Sequence, residues 1–131
     1  MFERFNKLAM CLALVGLFTI IFVQNSCASD SFIDMFEQKL KEQGISYGIE
    51  MFDPAYVGAI DGKRFNIDNG RVEIYIFDPS SADYEKAAKT GRVTIKQYNL
   101  SGPVTQNGTA FIFFDNVDDR RRLLSDIFLF L

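Results

Sequence analysis

The chain has 131 residues, 48% hydrophobic and 24% charged, with a formal net charge of −3 and no histidine, so imidazole triads, dyads and His-ligated metal sites are excluded. Beyond residue 26 there are 12 basic and 16 acidic side chains, a charge of −4. That sign leaves no excess of cations to release counterions from a phosphate backbone, and nucleic acid is not an expected partner.

In chain order the first signal is Leu8 to Val23, LAMCLALVGLFTIIFV, sixteen residues without a charge. Arg4 and Lys7 precede it and Gln24-Asn25-Ser26-Cys27-Ala28-Ser29-Asp30 follows, the basic, apolar and small-residue parts of an export signal. At its length the run is at the short end for crossing about 30 Å of hydrocarbon. Three fates are open. The favoured one is lipidation of Cys27, because the segment resembles bacterial lipoprotein signals, in which a cysteine closes the apolar run. Ser26 fits that pattern, while Gln24 stands where an aliphatic residue is usual. The others are cleavage after Ser29 and retention as an uncleaved anchor. Residues 1–27 are therefore expected to be a signal peptide, lipoprotein signal or membrane anchor. Each fate places residues 30–131 outside the cytoplasm, in the cell envelope, and the favoured one anchors them to the membrane, whereas cleavage after Ser29 would leave them freely secreted. Cys11 lies inside the apolar run, so the folded part has no disulfide.

Asp30 or Ser31 can cap a helix to about Gln43, with Gly44 past its end and Phe32, Ile33, Met35, Phe36 and Leu40 as an apolar stripe. Ile45 to Phe52 is expected as a strand. Asp53-Pro54 suits a turn or a single helical turn, with Asp as cap and Pro first. Asn69-Gly70 supplies the positive φ angles of a two-residue hairpin turn, which would pair Ile67 with Val72, Phe65 with Ile74 and Asn66 with Glu73. Asp78-Pro79-Ser80-Ser81 opens a helix ending at Gly91, with Tyr84, Ala87 and Ala88 inward. Arg92 to Tyr98 follows as a strand, and Asn99, Gly102 and Pro103 mark a loop. Asn107-Gly108 turns the chain into an apolar strand, Thr109 to Phe114. Asn116 caps the last helix, whose inward stripe is Val117, Leu124, Ile127, Phe128 and Leu131.

This order predicts an α+β domain over residues 30–131. It is expected to be a small two-layer sandwich, an antiparallel or mixed sheet of about four to five strands with three helices. Three pieces carry a resemblance. They are the hairpin from Gly62-Lys63-Arg64-Phe65 to Tyr75-Ile76-Phe77-Asp78, the Tyr84-Glu85-Lys86-Ala87-Ala88 helix, and Asn107-Gly108 leading through Phe111–Phe114 and Asp115 to the terminal helix. Together these resemble uncharacterised small lipoproteins of bacteria across nearly the whole mature chain. The resemblance implies export and a small α+β domain, and brings no activity with it.

No catalytic, cofactor-binding or metal-ligating residue is assigned, and no phosphate-binding glycine motif is present. Asp115, Asp118 and Asp119 cluster in a way that suits a hard cation, but their place at a helix start is explained by capping and the macrodipole. Tyr75, Tyr84 and Tyr98 are read as core tyrosines before sugar platforms. Arg120-Arg121-Arg122 point about 100° apart on a helix and make no single basic face. Two strands are apolar on both sides, and three short helices leave one side open to question. Tyr75, Phe77, Ile112 and Phe114 are therefore the candidate face for a protein partner, an apolar ligand or a homodimer, set against the favoured reading that helix 1 and the terminal helix flank opposite faces of the sheet and cover both. The expected function is that of a non-enzymatic, exported or membrane-tethered envelope protein that binds a partner or ligand. The alternative is a small extracytoplasmic hydrolase working with carboxylates alone.

Overall fold

The structure, a computed structural model, describes residues 31–131. Cys27 and the expected signal or anchor over residues 1–27 lie outside the described residues. From Phe32 to Leu131 the chain is one compact unit. Among the described residues no helix is long and apolar enough to cross a membrane.

Helix α1 spans Phe32–Glu42 and buries Ile33, Phe36 and Leu40, three positions that share one helical face. Met35, expected in that stripe, is exposed. The helix ends where Gly44 takes a φ of +69°, which lets the Gly44 N–H reach Lys41 O at 3.1 Å and the Ile45 N–H reach Leu40 O at 3.0 Å. Strand β1 is Gly48–Glu50, shorter than the expected run over 45–52. Its ladder with β2 stops at Glu50↔Arg64, because Phe52 and Pro54 then lie over Gly62, where an added Cβ would meet them at 2.9 and 3.2 Å. Asp53 caps a 3-10 helix over Pro54–Val57, its Oδ1 accepting from the Ala55 N–H at 3.0 Å.

Strands β2, Asp61–Ile67, and β3, Gly70–Ile76, form the expected hairpin, but with another register. Ile67 pairs with Gly70, Phe65 with Val72 and Asn66 with Arg71, so the turn residues are Asp68 and Asn69. Asp68 adopts the left-handed conformation, φ +56°. Gly70 is needed for closeness instead of for its φ: a Cβ there would lie 2.1 Å from the Asn116 carbonyl oxygen. The pairing differs from the expected one by two residues, which is why the same side chains still face the core.

Helix α2, Ala82–Thr90, starts at Ser81, whose Oγ accepts from the Tyr84 N–H at 3.1 Å, and ends at Gly91. Ala87 is its buried residue, and Ala88, expected inward, is exposed. Strand β4, Arg92–Ile95, turns back through residues 96–99 into β5, Leu100–Pro103, and the two make a separate small sheet. The expected loop is thus largely a strand. Gly102 fits there because a Cβ would sit 2.8 Å from the Phe113 ring. Strands β6, Thr105–Asn107, and β7, Ala110–Asp115, follow, joined by a turn at Gly108-Thr109. Asn116 does not cap a helix. It takes φ +57° and its amide donates to Asn69 O at 3.1 Å, tying the end of β7 to the first hairpin. A 3-10 turn, Asp118–Arg120, leads into α3, Arg121–Leu129, which buries Leu124 and Phe128.

The main sheet runs β1-β2-β3-β7-β6, antiparallel at every pair, and the fold is α+β. Its layering is fuller than a two-layer arrangement, since both faces of the sheet are covered. On one face α1 and α3 pack on Phe65, Ile67, Val72, Ile74, Ile112 and Phe114. On the other, the first 3-10 helix, α2 and β4 pack on Tyr75, Phe77 and Phe111.

Candidate functional site

The residues singled out from sequence as a partner face are not one face. Strand β3 meets β7 with Ile74 opposite Ile112 and Tyr75 opposite Phe111. Because directly opposed residues point the same way, Ile112 and Phe114 join Val72 and Ile74 beneath α1 and α3, while Tyr75 and Phe77 lie with Phe111 beneath α2. All four are at most 9% exposed. Each side of the sheet is covered by the chain itself, α1 and α3 sharing one side and α2 with the small sheet taking the other. No surface formed by these four residues is open to a partner.

The second face continues past its apolar end into a charged one, and the boundary is Glu73. This side chain is 6% exposed and flanked in sequence by Val72 and Ile74. A buried carboxylate must be paired or hydrogen-bonded. Glu73 accepts from Arg64 Nε at 2.5 Å and from the Tyr75 hydroxyl, and Arg71 Nε stands 3.5 Å away. Arg64 also reaches Glu50 at 2.8 Å, and its guanidinium lies 5.1 Å from the centre of the Phe52 ring. The hydrogen bond from Arg64, then that from Asn66, holds the Glu50 carboxyl below the usual range. Burial, followed by the adjacent Glu73 charge, pushes the Tyr75 hydroxyl far above the ordinary tyrosine value. A tyrosine so held is a poor proton donor or nucleophile, and the two carboxylates share one guanidinium. The arrangement is a closed ladder of ion pairs across β1, β2 and β3.

A different surface is concave. Between the first 3-10 helix, α2 and the β4–β5 turn lies a hollow of about 220 Å³. Its floor is Val57, Phe77, Ala87 and Val93, the outer side of the second core. Its polar lining includes Asp83, Lys86, Arg92 and Lys96. Lys96 Nζ bonds Asp83 Oδ2 at 2.8 Å, and the Lys96 N–H donates to Tyr56 O at 3.0 Å. Arg92 donates to Ser101, Nε to the hydroxyl and Nη2 to the carbonyl, each at 3.1 Å. Neither Lys86 nor Arg92 has a carboxylate partner among the described residues.

Of the acidic residues noted in sequence, Asp115 lies 3.4 Å from Arg71 and Asp118 3.8 Å from Arg121, while no ion pair joins Asp119 among the described residues. Arg120 pairs instead with Asp68 at 3.2 Å, and Arg121 stands over the Phe114 ring at 5.1 Å. Among the described residues no three acidic or thiol side chains are grouped to hold a metal ion. Tyr84 packs edge-on against Phe111 at 6.0 Å, and Tyr98 is exposed.

Sequence reasoning passed over both the Glu73 ladder and the hollow. Glu73 did carry a signal, since a charge inside a strand buried on both faces demands a partner. The cations of the hollow carried none, because they come from a helix and a hairpin whose packing is not periodic. Comparison with protein-family models, with curated proteins and with solved structures gives no match.

Proposed function

We propose that this chain is a non-enzymatic protein of the bacterial cell envelope, tethered through residues 1–27, that works by binding a ligand or partner. The observation behind it is the state of Glu73. The most enclosed carboxylate accepts from Arg64 and Tyr75, and its neighbour Glu50 is engaged by the same guanidinium. Glycoside-type hydrolysis by carboxylates alone needs one acid and one base facing each other across bound substrate. Here the groups face each other across an arginine.

The apolar run closed by Cys27 and the likeness to small lipoproteins support the tethered part of the proposal. Metabolic labelling with palmitate tests it directly. The full chain is expected to take up label and fractionate with membranes, and Cys27→Ser to lose the label. Recovery of unlabelled full-length protein in the cytosol would overturn the tether. Turnover of any ester or glycoside in a substrate panel, abolished by substitution of one Asp or Glu, would overturn the non-enzymatic part.

A further inference from the structure

The hollow beside α2 is where the binding reading can be given a ligand. We propose that it takes a small organic anion, a phosphate or carboxylate carrying a short apolar stem. The proposal rests on the binding part of the function proposed above and supplies its chemistry.

Charge selects the sign of the ligand. The domain is acidic, yet this concavity carries three cations and one carboxylate. The carboxylate, Asp83, is already paired with Lys96. Lys86 and Arg92 are left at the exposed rim of the hollow with no carboxylate among the described residues to neutralise them, so the local potential is positive. Arg92 is held by Ser101 through two of its nitrogens, which leaves its third nitrogen, Nη1, as a donor for an anion.

Size and floor select the rest. About 220 Å³ is below the usual range for a drug-sized ligand, so the occupant is a small molecule. The apolar floor offers no hydrogen bond to a naked inorganic ion, and it gains from covering a few methylene groups.

The walls are fixed before any ligand arrives. The Lys96 N–H ties the β4–β5 turn to the 3-10 helix through Tyr56 O, and Lys96 Nζ ties it to α2 through Asp83. Asp83 is itself seated against the backbone at Gly58, where a Cβ would lie 2.3 Å from Oδ2. With Arg92 and Lys96 already held, only the Lys86 side chain has to be ordered when a ligand binds.

Titration calorimetry on the full chain in phosphatidylcholine nanodiscs tests this with three probes: monobutyl phosphate, inorganic phosphate and butylammonium. Monobutyl phosphate is expected to bind saturably and about tenfold more tightly than inorganic phosphate, the difference that covering two methylenes makes. Butylammonium is expected not to bind. Lys86→Gln should weaken monobutyl phosphate about fivefold, and Asp83→Asn, which frees Lys96, should strengthen it about threefold, both at an effective dielectric near that of a protein surface. Repeating the titration with phosphatidic acid in the discs separates the sources of the anion. Lost binding of the soluble probe marks a lipid headgroup, unchanged binding marks a free solute, and either supports the site. The proposal is overturned if no probe saturates, if butylammonium binds as well as the anion, or if Lys86→Gln has no effect while its thermal unfolding matches wild type. None of these outcomes bears on palmitate labelling, so failure of the pocket and failure of the tether are told apart.

Discussion

The two faces of the main sheet are built from the same three strands and put to different use. Beneath α1 and α3 every inward position of β3 and β7 is apolar, and aromatic pairs knit the layer together. Phe36 meets Phe65 at 5.5 Å, Tyr47 meets Phe65 at 5.6 Å and Phe32 meets Phe128 at 5.1 Å. Each such pair adds about 0.5–1.5 kcal/mol to the burial itself. The opposite face is apolar for half its length, around Phe77 and Phe111, and then turns to ion pairs at Glu73. One face is a continuous core. The other ends in charge at one side and adjoins a hollow at another, which is what makes it the side where binding is expected.

The sharpest way to break this contrast is to make the same cut in each face. Phe65→Ala is expected to cost about 4 kcal/mol by urea denaturation, and Phe77→Ala about 3 kcal/mol, because the second void opens into the hollow and fills with water. Equal losses would mean that the hollow is sealed from Phe77. Next in size is Glu73→Ala, expected to cost about 2 kcal/mol, since it leaves the buried Tyr75 hydroxyl without its acceptor and Arg64 with Glu50 alone. A neutral result would mean that the ladder is solvated. The smallest effect distinguishes the rim of the first face by pH. The Lys63 ammonium, then the Tyr47 hydroxyl, holds the Glu37 carboxyl below its ordinary 4.5, so its contribution is present above that value and is lost as pH falls through the folded one. Tyr47 runs the other way. Burial, then its bond to Glu37, pushes it from 10.0 up to about 12, so its contribution is present below pH 10 and is lost between about 10 and 12. Unfolding midpoints measured across pH should show both declines, with Tyr47→Phe flattening the alkaline one.

Much of the local structure was legible because single residues determine it. Gly44 and Gly91 end helices, Asp53 and Ser81 begin them, and the stripes of α1 and α3 follow from spacing. Turn position was less legible. Asn69-Gly70 reads as a turn pair, yet Gly70 is taken up by its contact with the Asn116 carbonyl, which lies 46 residues away in sequence. Strand β5 was missed because Gly102 and Pro103 look like loop residues until Phe113 is placed beneath them. The misplaced partner face came from one undetermined parity. Strand β7 is apolar on each side and β3 carries Tyr75 on the side opposite Ile74 and Ile76, so the apolar ends of their sequences fit either choice of which pair shares a face. Only the pairing of Tyr75 with Phe111 decides it. The hollow needed three elements to meet, and no local pattern encodes that.

The outermost strands, β1 and β6, are three residues long each. An open edge invites a neighbouring chain to extend the sheet, and the number of free amides and carbonyls sets how strongly. High local density of copies is the condition under which such extension starts a fibre. With so little edge on either side of the main sheet, crowded copies have almost no template there for growing a common ribbon.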